Sequence, residues 1–150
     1  MKRIFCLMIA LMLVVLTFAS CTDAQTYDSD HHPDISFSVG RFDTNIKVGE
    51  TITVRAFLTN ESEKDITISH LPLLIWLRVK KEGGELEGST MAPMLTQTVI
   101  ESGKSVEKSA NFKFTEAGIY YLYAQASFNS TDEKSESFSY NEVIKITVTE

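Results

Sequence analysis

Cysteine is nearly missing. Of the 150 residues only Cys6 and Cys21 are cysteine, and both fall within or at the end of an apolar leader. Residues 22–150 contain no thiol. A disulfide framework, a thiolate nucleophile and a cysteine-built zinc site are therefore excluded. Positive charge is scarce as well. Lys2 and Arg3 sit in the leader, so 12 of the 14 basic residues remain against 20 acidic ones, a net charge of −8. Nucleic-acid binders usually carry a basic face and binders of anionic lipid a polybasic patch, so neither partner is expected. Glycine-rich phosphate loops are also lacking, because Gly83-Gly84 reads as a hairpin turn with no helix after it. No stretch after residue 21 sustains a helical period of 3.6.

The chain begins with an export signal. Met1-Lys2-Arg3 is basic, and Ile4 to Phe18 is apolar except for Thr17. That run is shorter than the roughly 20 residues of a spanning helix. Phe18-Ala19-Ser20-Cys21 then resembles the lipobox of bacterial lipoproteins, with Phe18 where Leu is usual. The resemblance implies cleavage before Cys21, a diacylglyceryl thioether on its sulfur and an acylated (palmitate-class) terminus. Two or more chains hold a protein stably on a bilayer. The expectation is a cell-envelope protein anchored through Cys21, its domain outside the cytoplasm. Residues 1–20 are the signal and 34–150 the domain. Residues 21–33, rich in Asp and closed by Pro33, are a flexible tether.

From residue 34 the pattern has a period of two. Ile52, Val54, Ala56 and Leu58 alternate with Thr51, Thr53, Arg55 and Phe57. Tyr120, Leu122, Ala124 and Ala126 alternate with Tyr121, Tyr123, Gln125 and Ser127. The same alternation marks 35–39, 66–69, 75–80, 112–114 and 144–148. Turn-forming clusters at 47–50, 60–64, 82–85 and 101–104 separate these runs. Half-buried antiparallel strands at this spacing predict an all-β, immunoglobulin-like antiparallel sandwich of seven to eight strands. Glu116-Ala117-Gly118-Ile119-Tyr120 resembles the tyrosine corner of such sandwiches, in which the Tyr hydroxyl bonds back to the chain.

Catalytic residues are hard to find. His31 and His32 lie in the tether and His70 at a strand end, with no nucleophile motif beside any of them. The acids fall in turns and outward positions, so no carboxylate pair reads as buried across a cleft. No enzyme, cofactor or metal is expected. The sharper alternative is a copper carrier using His31, His32, His70, Met91 and Met94, whose imidazoles and thioethers suit that metal. Trp76, Tyr121 and Tyr123 occupy outward positions of their strands and would form an aromatic patch if those strands are neighbours. The long connection 86–96 adds Leu86, Met91, Met94 and Leu95. Met adapts to varied partner surfaces. The expected partner is a protein or peptide, engaged by Trp76, Met91, Met94, Tyr121 and Tyr123.

One wider resemblance covers about half the chain. Leu58-Thr59-Asn60, the runs from 66 to 79, Gln97-Thr98, Glu101-Ser102-Gly103-Lys104 and Gly118-Ile119-Tyr120 come in the same order as in the bacterial intracellular proteinase inhibitor family, the BsuPI type. The family's Gly-x-x-Val-Trp stretch is absent, since Gly84 is followed by Glu85-Leu86-Glu87. The resemblance implies the same sandwich, and as an alternative function proteinase inhibition through loop 82–97.

Overall fold

The computed structural model describes residues 31–85, 94–131 and 135–150. The signal, Cys21, most of the tether, Met91 and the tip of the last hairpin lie outside these residues. Nine strands are described: β1 (Ile35–Val39), β2 (Asn45–Lys47), β3 (Thr51–Asn60), β4 (Ile66–His70), β5 (Ile75–Lys81), β6 (Thr96–Ile100), β7 (Ser105–Lys113), β8 (Gly118–Ser130) and β9 (Ser137–Thr149). Among the described residues no helix is long and apolar enough to cross a membrane.

The alternation of apolar and polar residues builds two sheets. β1, β3 and β7 form one, in the order β1-β3-β7. The other runs β2-β9-β8-β4-β6, with β5 also paired to β8. All pairs are antiparallel except β2 with β9. The chain crosses from the first sheet to the second at β2, returns at β3, crosses again for β4, β5 and β6, returns at β7 and ends in the second sheet with β8 and β9. This is the Greek-key route of an immunoglobulin-like sandwich. β4 and β5 both lie along β8, at Ile68–Ser69 and Ile75–Lys81 respectively, and so act as one interrupted strand.

The inward residues meet in two adjoining clusters. One holds Leu58, Ile68, Ile75, Ala126, Phe128 and Phe138, the other Val54, Leu122, Phe114 and Ile146. Each fully buried Leu or Ile adds about 1.5–3 kcal/mol of apolar burial. Glu142 departs from the expected outward placement of the acids. It pairs with the fully buried Ala124, so it occupies an inward register of β9, half-buried. β2 pairs with β9 only through Asn45–Lys47 against Thr147–Thr149, so among the described residues no strand pairs the β9 edge beside Glu142. An inward charge on an open edge discourages pairing with another chain.

The tyrosine corner forms. The Tyr120 hydroxyl donates to the Glu116 carbonyl at 3.0 Å and its ring stands edge-on to Phe114 at 4.9 Å. Tyr120 is half-buried rather than buried, because it lies at the sandwich end. Gly118 has φ +147°, and a Cβ there would stand 3.0 Å from Lys81 Cε, so the corner requires glycine. The Lys81 ammonium closes this end by an ion pair with Glu116. The Glu116 bond and charge raise the Lys81 pKa, and Lys81 in turn lowers that of Glu116.

The tether ends sooner than Pro33. His31 stacks on Tyr140 at 4.6 Å, and His32 sets its ring edge against Phe138 at 4.9 Å. The reason lies in Tyr140. Its hydroxyl is buried and needs partners, so it donates to the Ile35 carbonyl at 2.8 Å and accepts from the His32 amide at 3.0 Å. Burial raises the Tyr140 pKa above its ordinary value.

Candidate functional site

Parity along β5 and β8 aims Trp76, Tyr121 and Tyr123 away from the core. Register then brings them together: Trp76 faces Gln125, Arg78 faces Tyr123 and Lys80 faces Tyr121. On the other side of β8, Tyr123 faces Val143 and Tyr121 faces Lys145. The outer face of β5, β8 and β9 thus carries three rows. They are Trp76–Gln125–Asn141, Arg78–Tyr123–Val143 and Lys80–Tyr121–Lys145.

Several of these groups are held in place. The Trp76 indole N–H donates to the Leu73 carbonyl at 2.8 Å, and the Arg78 guanidinium lies over the indole ring at 4.1 Å. The Tyr121 hydroxyl donates to Glu82 at 3.2 Å, and this bond raises its pKa. Gln125 donates to Asn141 at 2.7 Å. Val143 is 56% exposed in the middle row.

Met94 and Leu95 stand just before β6, each 66% exposed. Neither serves the core. Met91, the other methionine of this connection, lies outside the described residues, and Cys21 does also. His70 is a structural histidine. It is buried, Nδ1 meets the Leu71 carbonyl, and Nε2 meets the Thr98 hydroxyl at 2.8 Å. A carbonyl only accepts, so Nδ1 carries the proton and Nε2 accepts from Thr98. Both nitrogens are engaged, and among the described residues no three His, Cys, Asp or Glu side chains are grouped to hold a metal.

Asn60 is visible in the sequence only as part of a turn. In the fold it is fully buried and fully bonded. Its Nδ2 donates to the carbonyls of Lys64 at 2.7 Å and Ile100 at 2.8 Å, and its Oδ1 accepts from the Ser62 amide and hydroxyl. The Leu58-Thr59-Asn60 motif therefore ties β3 to the start of β4 and the end of β6. Nearby, a cleft of about 620 Å³ is lined by His32, Asp34, Lys64, Asp65, Ser130 and Thr131, among others. It does not include the aromatic rows.

No family model matches the chain, and no curated protein matches it. Solved structures resemble the chain at low identity. The CARDB domain of a Pyrococcus furiosus protein, solved with di-metal ions, is 12% identical, covering 77% of this chain and 92% of its own, with a TM-score of 0.45. A PapD-like (ASH) domain of human CEP192 is 19% identical over 78% of this chain and 86% of its own, with a TM-score of 0.46. A Listeria innocua β-glucosidase is 12% identical over 76% of this chain, with a TM-score of 0.46, and the chain spans only 16% of that enzyme.

Proposed function

We propose that this chain is a lipoprotein anchored through Cys21 to a bacterial envelope membrane, its sandwich serving as a non-catalytic binding or adaptor module for a protein or peptide partner. The supporting observation is the gathering of Trp76, Tyr121 and Tyr123 on one outer face. Aromatic residues are enriched where proteins bind proteins, and a rigid sheet presents them without ordering cost. Met94 and Leu95 add exposed apolar groups beyond β6. Those two side chains also favour a second reading, proteinase inhibition through loop 82–97, in which a protease would grip that segment.

The test is capture from native membranes. The full chain, with a photocrosslinker in place of Tyr123, should yield a discrete adduct. A crosslinker in place of Thr53, on the opposite sheet, should not. Equal labelling from both positions would refute the reading. An adduct only from a crosslinker at Met94, and with a protease, would select the inhibitor.

A further inference from the structure

The outward positions of β5, β8 and β9 carry three cations, Arg78, Lys80 and Lys145, and no carboxylate. This is the reverse of the chain as a whole. Glu82, just beyond β5, is engaged by the Tyr121 hydroxyl. Among the described residues the ion pairs are Arg55–Glu107 and Lys81–Glu116, so Lys80 and Lys145 are in none. Lys80 and Lys145 flank Tyr121 on neighbouring strands, which places their backbones about 10 Å apart, two strand spacings. The screening length in physiological salt is about 8 Å, so an approaching charge feels this face, Glu82 included, more than the acids of the opposite sheet.

We propose that this face binds an acidic peptide segment, carboxylates of the segment meeting Lys80 and Lys145 while its apolar side chains lie on Tyr121, Tyr123 and Val143. The inference rests on the reading of the domain as a binding module, and it names the chemistry of the partner.

An anionic polysaccharide is the competing occupant, and the geometry of Trp76 disfavours it. A sugar platform needs an open indole face. Here the Arg78 guanidinium lies over that ring at 4.1 Å, and the indole N–H is taken by Leu73. Val143, 56% exposed between Tyr123 and solvent, offers an aliphatic contact that fits a Leu or Val side chain.

Trp76 is the single tryptophan, so its fluorescence reports on the face directly. The full chain in neutral detergent is titrated with a synthetic peptide of alternating Glu and Leu, with its Lys-Leu counterpart, and with polygalacturonate. The Glu-Leu peptide should shift Trp76 emission, and the Lys-Leu peptide should not. Lys80→Glu with Lys145→Glu should weaken the acidic peptide by at least about tenfold and admit the basic one. Lys80→Gln with Lys145→Gln should give an intermediate loss. Both pairs are surface substitutions and should melt as wild type does. Affinity for the acidic peptide unchanged by either pair would overturn the proposal, as would no response to it. Polygalacturonate binding more tightly, with the same sensitivity to both pairs, would replace the peptide by a polysaccharide. If the peptide fails while the Tyr123 crosslinker still captures a membrane partner, the binding module stands and only its acidic specificity falls.

Discussion

The outer faces of the two sheets differ in the groups they carry, although short polar side chains also bond one another on the larger sheet, as Gln125 does Asn141 and Ser137 does Asn129. On the β1-β3-β7 sheet the polar side chains satisfy one another. Thr53 donates to Asn111 at 2.8 Å, Thr59 and Ser105 are bonded at 2.8 Å, and Arg55 pairs with Glu107. Where β3 ends, Asn60 makes every bond its amide can within the protein. On the β5-β8-β9 face the large groups are braced from behind yet end in solvent, and Lys80 and Lys145 join neither ion pair of the described residues. A sheet whose polar groups are mutually bonded has little to offer a partner. A face whose groups are oriented and open to solvent meets a partner at low cost of ordering. The difference separates residues that hold the sandwich from residues that present it.

The largest expected effect lies on the closed side. Asn60→Leu removes four bonds, among them the buried one to the Ile100 carbonyl. Denaturant unfolding should show a loss of about 3 kcal/mol, and the folded fraction should still answer to ligand through Trp76. Loss of ligand response in that folded fraction would break the separation.

Next comes the presenting face. Trp76→Ala with Tyr123→Ala should cut partner crosslinking through Met94 by at least about tenfold, while stability falls by less than it does for Asn60→Leu. If the double variant unfolds instead, these aromatics belong to the holding class.

Tyr120→Phe is expected to cost about 0.5–1 kcal/mol, because its bond to Glu116 lies at an exposed end where water can replace the lost donor. A loss of several kcal/mol in a thermal melt would make the corner a core element.

The mildest effect touches neither outer face. Neutral Tyr140 is favoured by burial, so its folded pKa lies above the unfolded value. Its contribution is complete below the unfolded pKa near 10 and is lost as pH rises through the folded one. Unfolding midpoints should therefore decline in alkali more steeply for wild type than for Tyr140→Phe. Parallel declines would show that the Tyr140 hydroxyl is not held in a buried setting.

How far these features can be read in the sequence depends on how local their causes are. β3 and the first half of β8 alternate without a break, and their strands follow from that alone. β2 is three residues long and shows no period. β6 is exposed up to Ile100 apart from the half-buried Thr98, so its polar residues hide the strand. The first half of β9 escapes because Glu142 points inward and Val143 outward, which inverts the expected pattern beside an open edge. Parity turns Trp76, Tyr121 and Tyr123 outward, but their meeting on one face depends on β5 lying beside β8. The gathering of Lys80 and Lys145 around Tyr121 is not legible either, since it depends on the register of three strands far apart in the chain. Asn60 gives a turn signal but no sign of its burial, because its partners lie as far as 40 residues away.

The parallel pair of β2 with β9 sets an order of events. Ile46 is bonded across to the position of Val148, about a hundred residues on, and β9 is also the partner of β8 along its whole length. A chain emerging from its N-terminus therefore cannot complete the larger sheet until residues near 149 are free. Contacts this remote in sequence make folding slow. For a polypeptide threaded through a membrane channel, that delay is useful. Were the chain exported as proposed, the segment still inside would stay extended, and the sandwich would lock only after the last strand had crossed.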